Sequence, residues 1–142
     1  MGEIRVKVKL TNALDEALAR RGQLTPQQVR SSEVDALIDT GVVRSVVPPQ
    51  VAQDLGLQIR GQRVAEYADG RKEPVGVTEP LIIEYLQRDT LEEALVLGDE
   101  VLIGQTVLEK LDLVADCANR RLIPNPAHPN QPVTKVKSAS AR

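Results

Sequence analysis

Apolar residues recur at every second position near the start of the chain. Ile4, Val6, Val8 and Leu10 alternate with Arg5, Lys7 and Lys9, which is the period of a half-buried strand. The cations on its outer face suit an edge or a solvated sheet surface. The period then changes. Leu14, Ala17 and Leu18 fall on one helical face, Asn12 stands where an N-cap belongs, and Asp15 and Glu16 occupy the first turn. Arg20 and Arg21 complement the other end, and Gly22 is a natural stop. Thr25-Pro26 opens a turn or a single helical turn.

Further along, the pattern predicts short strands broken by turn residues. Residues 29–38 read as a strand running into Asp39, and 42–47 as further extended chain ending at Pro48-Pro49. A short helix over 50–55 closes at Gly56. Strands over 58–67 and 71–77 flank Ala68-Asp69-Gly70, and Asp-Gly is a strong hairpin signal. A second pair over 81–86 and 91–97 is expected to turn at Arg88-Asp89, followed by a short strand over 101–103. A helix over 104–111 presents Val107, Leu108 and Leu111, and a last pair, 114–118 and 121–123, turns at Asn119-Arg120. Many short strands with frequent turns and one to three short helices predict an all-β domain, small and either closed or strongly curved.

Composition narrows the core. The chain has 142 residues, no Trp, no Phe and two Tyr, so one core must be built from Leu, Ile, Val and Ala, which suits sheet. From Pro124 onward the chain is polar and rich in Pro, Ala and Ser. A domain over 1–124 with a mobile tail over 125–142 is the expected organisation. The net charge of −2 lacks the basic excess of a nucleic-acid binder. No apolar run reaches membrane-spanning length. The first residues, MGEIRVKVKL, lack the apolar segment of a signal peptide, so a cytoplasmic protein is expected. Cys117 is the only cysteine, which rules out an internal disulfide and a Cys-based zinc site, and it reads as a small core residue. His128, the only histidine, lies in the tail, which disfavours Ser-His-Asp and Cys-His chemistry. No metal or cofactor is expected.

The candidate chemistry lies in 34–48, VDALIDTGVVRSVVP. An acid between two apolar strands is costly unless something compensates it. Gly permits a close backbone approach and Thr can satisfy neighbouring backbone groups. Asp-Thr-Gly alone would arise by chance in roughly one chain in forty of this length, so the tripeptide needs its context.

With that context the chain resembles the retropepsin-like aspartic proteases, and more closely their small bacterial members. The resemblance runs from Ile4 to Pro124. It rests on an apolar strand ending in Asp39-Thr40-Gly41, then Val46-Val47-Pro48, then Leu55-Gly56-Leu57, then a hairpin turning at Ala68-Asp69-Gly70. It closes with Val101-Leu102-Ile103-Gly104 leading into residues 107–113. The resemblance implies a small acid-protease barrel in which Ile103-Gly104 lies beneath the catalytic loop. It implies an endopeptidase in which two Asp carboxylates share one proton, since like charges so close cannot both ionise. One activates water and the other donates to the peptide carbonyl. This chain has one such Asp, Asp39, so the partner would be Asp39 of a second copy across a two-fold axis. By the same analogy Thr40 ties the two loops together and Gly41 accepts substrate backbone. The hairpin carrying Tyr67, Ala68, Asp69 and Gly70 would be a flap closing over an extended peptide.

One position departs from the family, which usually has Ala or Ser where this chain has Val42. The extra methyl groups would narrow the substrate pocket. Val43 and Arg44 likewise replace small or acidic residues. The alternative is therefore a protease-fold dimer that binds peptide or protein without turning it over. An Asp-nucleophile phosphotransferase is a third reading. It wants a second acid where Gly41 stands and an alternating βα chain. Among other residues, Tyr67 can pack either over substrate or within the hairpin, and Asp69 reads as a turn former.

Overall fold

A computed structural model of the chain describes residues 3–136. Strand β1 (Arg5–Asn12) leads into helix α1 (Ala13–Arg20), then a 3-10 turn (Pro26–Gln28) and β2 (Ser31–Ile38). After a loop come β3 (Val46–Val47), α2 (Pro49–Asp54), and the hairpin β4 (Ile59–Glu66) and β5 (Lys72–Thr78). Then follow β6 (Leu81–Tyr85), β7 (Arg88–Glu92), β8 (Leu95–Val96) and β9 (Val101–Ile103). Helix α3 (Gln105–Leu111) and the hairpin β10 (Leu113–Asp116) and β11 (Arg121–Pro124) complete the described fold.

Nine strands form one curled half-barrel sheet in the order β4-β5-β8-β3-β9-β2-β1-β6-β7, and β10 pairs only with β11. Strand β9 lies between β2 and β3, although those two are consecutive strands along the chain. It runs parallel to β2, with Ile38 opposite Ile103, and antiparallel to β3, with Val46 opposite Leu102. This crossing places the link between β2 and β3 directly over the start of α3. The core is aliphatic as composition requires. Leu10, Leu81, Ile83, Ile103, Val107 and Leu111 are all but fully buried, each contributing about 2 kcal/mol of burial.

The first helix forms as its sequence dictates. The Asn12 side chain accepts from the Asp15 amide at 3.0 Å and donates to the Leu55 carbonyl at 2.8 Å. One buried amide thus caps α1 and ties it to the end of α2.

Four local expectations change. Residues 42–47 are not one strand, because 42–45 form a loop and only Val46–Val47 pair. The turn expected at Arg88-Asp89 falls instead at Leu86-Gln87, which adopt φ of 53° and 64°. Arg88 is inside β7 because its buried guanidinium donates to the carbonyls of Leu111, Asp112 and His128. The strand expected over 91–97 splits at Ala94, which exchanges hydrogen bonds with Thr78 and redirects the chain from β6 to β5. Finally, the first part of the segment expected as a mobile tail is tied down. Asp112 accepts from the Asn125 side chain and the Val133 amide, both at 3.0 Å, and its Oδ2 lies 2.7 Å from Nδ1 of His128. Residues 137–142 of that expected tail lie outside the described residues.

Candidate active site

Asp39 stands where the central ladder ends. Its amide donates to the Ile103 carbonyl at 3.0 Å, one step beyond the Ile38–Ile103 pair, and the Ile38 amide donates to the Ile4 carbonyl. Neighbouring chain on both sides therefore holds the end of β2, and Asp39, the next residue, is half-exposed. The loop then turns on itself. The Gly41 amide donates to Asp39 Oδ1 at 3.0 Å, and the Val42 amide donates to the Asp39 carbonyl at 3.2 Å. A Cβ on Gly41 would lie 3.3 Å from Asp39 Oδ1, so the missing side chain leaves room beside the carboxylate. Thr40 and Gly41 are exposed.

The start of α3 supports this loop from below. Gln105 donates its amide to the Val42 carbonyl at 2.8 Å, and Thr106 does the same to Val43 at 3.2 Å. The first amides of a helix lack partners within the helix, and here the loop carbonyls supply them. A Cβ on Gly104 would fall 2.7 Å from the carbonyl oxygens of both Val42 and Val43. No residue but glycine fits there without moving backbone. Ile103 and Gly104 thus lie directly against the loop that carries Asp39.

Ser45 is a support that the sequence did not single out. Nearly fully buried, it accepts from the Gly104 amide through Oγ at 3.1 Å, and its own amide donates to Glu92 at 3.4 Å. Glu92 is itself buried and lies 3.5 Å from the Lys110 ammonium. The available signal was a lone hydroxyl beside the apolar pair Val46-Val47.

Tyr67, Ala68, Asp69 and Gly70 sit together at the tip of the β4–β5 hairpin. The Arg71 amide donates to Asp69 Oδ1 at 2.9 Å, and Gly70 adopts φ 84°, so Asp69 is a turn former. The Tyr67 hydroxyl is bonded to Glu73, and Arg71 lies over its ring at 4.4 Å. That hydrogen bond, more than burial, raises the phenol above its ordinary range. Tyr67 is thereby used within the hairpin. Among the described residues no hydrogen bond joins this tip to the Asp39 loop. Cys117 is exposed rather than in the core, because it lies in the turn after β10.

The geometry is that of one carboxylate on a short glycine loop, held over the crossing of β2, β9 and β3. The family model for aspartyl proteases matches residues 25–82, which include this loop and the following hairpin. The retroviral protease-like domain of Ddi1 from Leishmania major shares the fold at TM-score 0.53 and 13% identity, over 95% of this chain and 92% of that one. The fold is retropepsin-like. The foamy viral protease-reverse transcriptase, solved with an RNA/DNA hybrid, is similar at TM-score 0.49 and 14% identity over 75% of this chain. The present chain spans 11% of that protein. No curated protein matches. No helix among the described residues is long and apolar enough to cross a membrane.

Proposed function

We propose that this retropepsin-like chain is an aspartic endopeptidase active as a homodimer in the cytoplasm. Water would be activated between two Asp39 carboxylates, one from each subunit, and would attack the carbonyl of an extended peptide. The observation that carries this reading is the Asp39 loop itself. Its backbone is fixed by Ile103, Gln105 and Thr106, while Thr40 and Gly41 face outward. A two-fold axis beside that loop would juxtapose two such carboxylates with one proton between them. The ionised member would take a proton from water as the other gave its proton to the carbonyl oxygen. Thr40 would bond across the axis, and the β4–β5 hairpin would close over the substrate.

The test combines oligomeric state with cleavage of unstructured polypeptide between about pH 4 and 7, a span suited to a coupled carboxyl pair. A dimer whose cleavage vanishes in Asp39→Asn supports the reading. A strict monomer, or cleavage equal in parent and variant, refutes it.

A protease-fold binding module is the second reading, and Val42 favours it. Its branched side chain is half-buried directly after the glycine that flanks the carboxylate. Val42→Ala discriminates the two. Cleavage that appears only in the variant would mean that the parent binds peptide without turnover.

A further inference from the structure

Two adjoining cavities of about 450 and 330 Å³ hollow one side of the molecule and share Pro80 and Leu91. Each falls within the range of ligand sites. The larger begins at Val43 and Arg44, just after the Asp39 loop. The smaller lies along α1, where Leu14, Ala17, Pro80 and Leu91 supply apolar walls. Leu14 and Leu91 are 53% and 56% exposed, so filling this space would remove two large apolar side chains from water.

The charges on these walls are matched with one exception. In the larger cavity Arg44 and Lys110 balance Glu92 and Glu93. In the smaller one Glu16 pairs with Arg20 at 3.2 Å, and Glu79 is left over, which gives that cavity one excess negative charge. Glu79 is held in place by Gln58. Its amide donates to the Gln58 carbonyl at 2.8 Å, and its Oε1 accepts from the Gln58 amide at 3.0 Å. Among the described residues no cation forms an ion pair with it. The Arg30 guanidinium feels its charge but gives its side-chain hydrogen bonds to Asp15. An apolar trough with an uncompensated carboxylate on its wall suits a long basic side chain. The methylene stem covers the apolar wall while the charged head reaches the acid.

We propose that the smaller cavity binds a lysine or arginine side chain of the polypeptide substrate, with the stem on Leu14, Ala17 and Leu91 and the head at Glu79. That the occupant belongs to the substrate rests on the peptidase reading, because the larger cavity links this site to the end of the candidate catalytic loop. No residue of that loop lines the smaller cavity. The site therefore adds a substrate class: polypeptides that carry a basic residue apart from the bond that is cut.

The test is selection from a random peptide library displayed on phage, using the full chain bearing Asp39→Asn so that nothing is cleaved. Enrichment of Lys or Arg is expected. Adding Glu79→Gln keeps an oxygen for the Gln58 amide and removes only the charge. It should abolish the enrichment and weaken a selected peptide about fivefold, the scale of a partly exposed ion pair. Replacing the basic residue of that peptide by Gln should cost the parent the same factor and cost the Glu79→Gln chain nothing. Leu14→Gln, at an exposed position, should also weaken the peptide, and it carries the test if Glu79→Gln fails to fold. Enrichment without Lys or Arg, a basic preference that survives Glu79→Gln, or binding unchanged by Leu14→Gln overturns the proposal. So does weaker binding traced to dissociation of a dimer, since the cavity would then seat a second copy. The two readings fail separately. Cleavage by the Asp39 parent that is indifferent to basic residues and to Glu79→Gln removes the site and keeps the peptidase. Glu79-dependent selection with no cleavage by that parent removes the peptidase and keeps a peptide-binding site.

Discussion

Gly104 lies directly beneath the carbonyl of Val42, where a Cβ would come within 2.7 Å of the oxygen. Gly104→Ala must therefore push the Asp39 loop away from α3. A loss of about 1–3 kcal/mol is expected, read as a lower urea midpoint, together with loss of cleavage. Unchanged stability and activity would show that the loop does not depend on this close approach.

Asp39→Asn should behave differently. The amide oxygen can still accept from Gly41, so the melting temperature should stay near that of the parent. Cleavage should fall by roughly a thousandfold or more, the usual scale for losing a catalytic group. Calorimetry and a fluorogenic peptide assay on the same preparation check both halves.

Asn12 joins two helices through one buried side chain. Asn12→Ala removes the cap of α1 and leaves the Leu55 carbonyl unpaired, for a combined cost of about 2 kcal/mol. Chemical denaturation measures it. An effect below about 0.5 kcal/mol, typical of surface substitutions, would contradict the role given to this residue.

Asp15 accepts from Arg30 through the backbone amide and through Nε and Nη2, at 2.8–3.1 Å. The Arg30 side-chain bonds hold its carboxyl below the usual carboxylate range. A depressed folded-state value contributes stability that is present above the unfolded value and is lost as pH falls through the folded one. The melting advantage of the parent over Asp15→Asn should hold at neutral pH and shrink below about pH 4. An advantage that grows on acidification would reverse the assignment.

Arg88 holds together the end of α3 and the segment after β11. Arg88→Met takes this donor from the carbonyls of Leu111 and His128, while Asp112 keeps the Asn125 amide, and should cost about 2–3 kcal/mol. It should also expose residues 125–133 to limited proteolysis, with mass spectrometry locating the cuts. Unaltered digestion would mean that Asp112 alone holds that segment.

Much of this was legible in the chain. The alternation from Ile4 to Leu10, the Asn12 cap, the Asp-Gly hairpin and the glycine before α3 each carry local signals, because caps, turns and strand faces are set by neighbouring residues. Other features were not. The Leu86-Gln87 turn contains no glycine or asparagine, although both residues adopt positive φ. The inward Arg88, the break at Ala94 and the buried Ser45 all depend on partners far along the chain.

By itself the sequence determined an aliphatic β domain with one Asp-Thr-Gly and no second copy of it. Periodicity and composition are local or additive properties, and a single chain displays them in full. Only the tertiary structure decided that β9 enters between β2 and β3, bringing Gly104 and the first amides of α3 beneath the carbonyls that follow Asp39. Those contacts join residues about sixty positions apart, and their register is fixed by core packing and complete hydrogen bonding rather than by local preference. The same packing left one nitrogen of Arg44, Nη1, shielded from water without a hydrogen-bond partner, a condition invisible in the order of the residues.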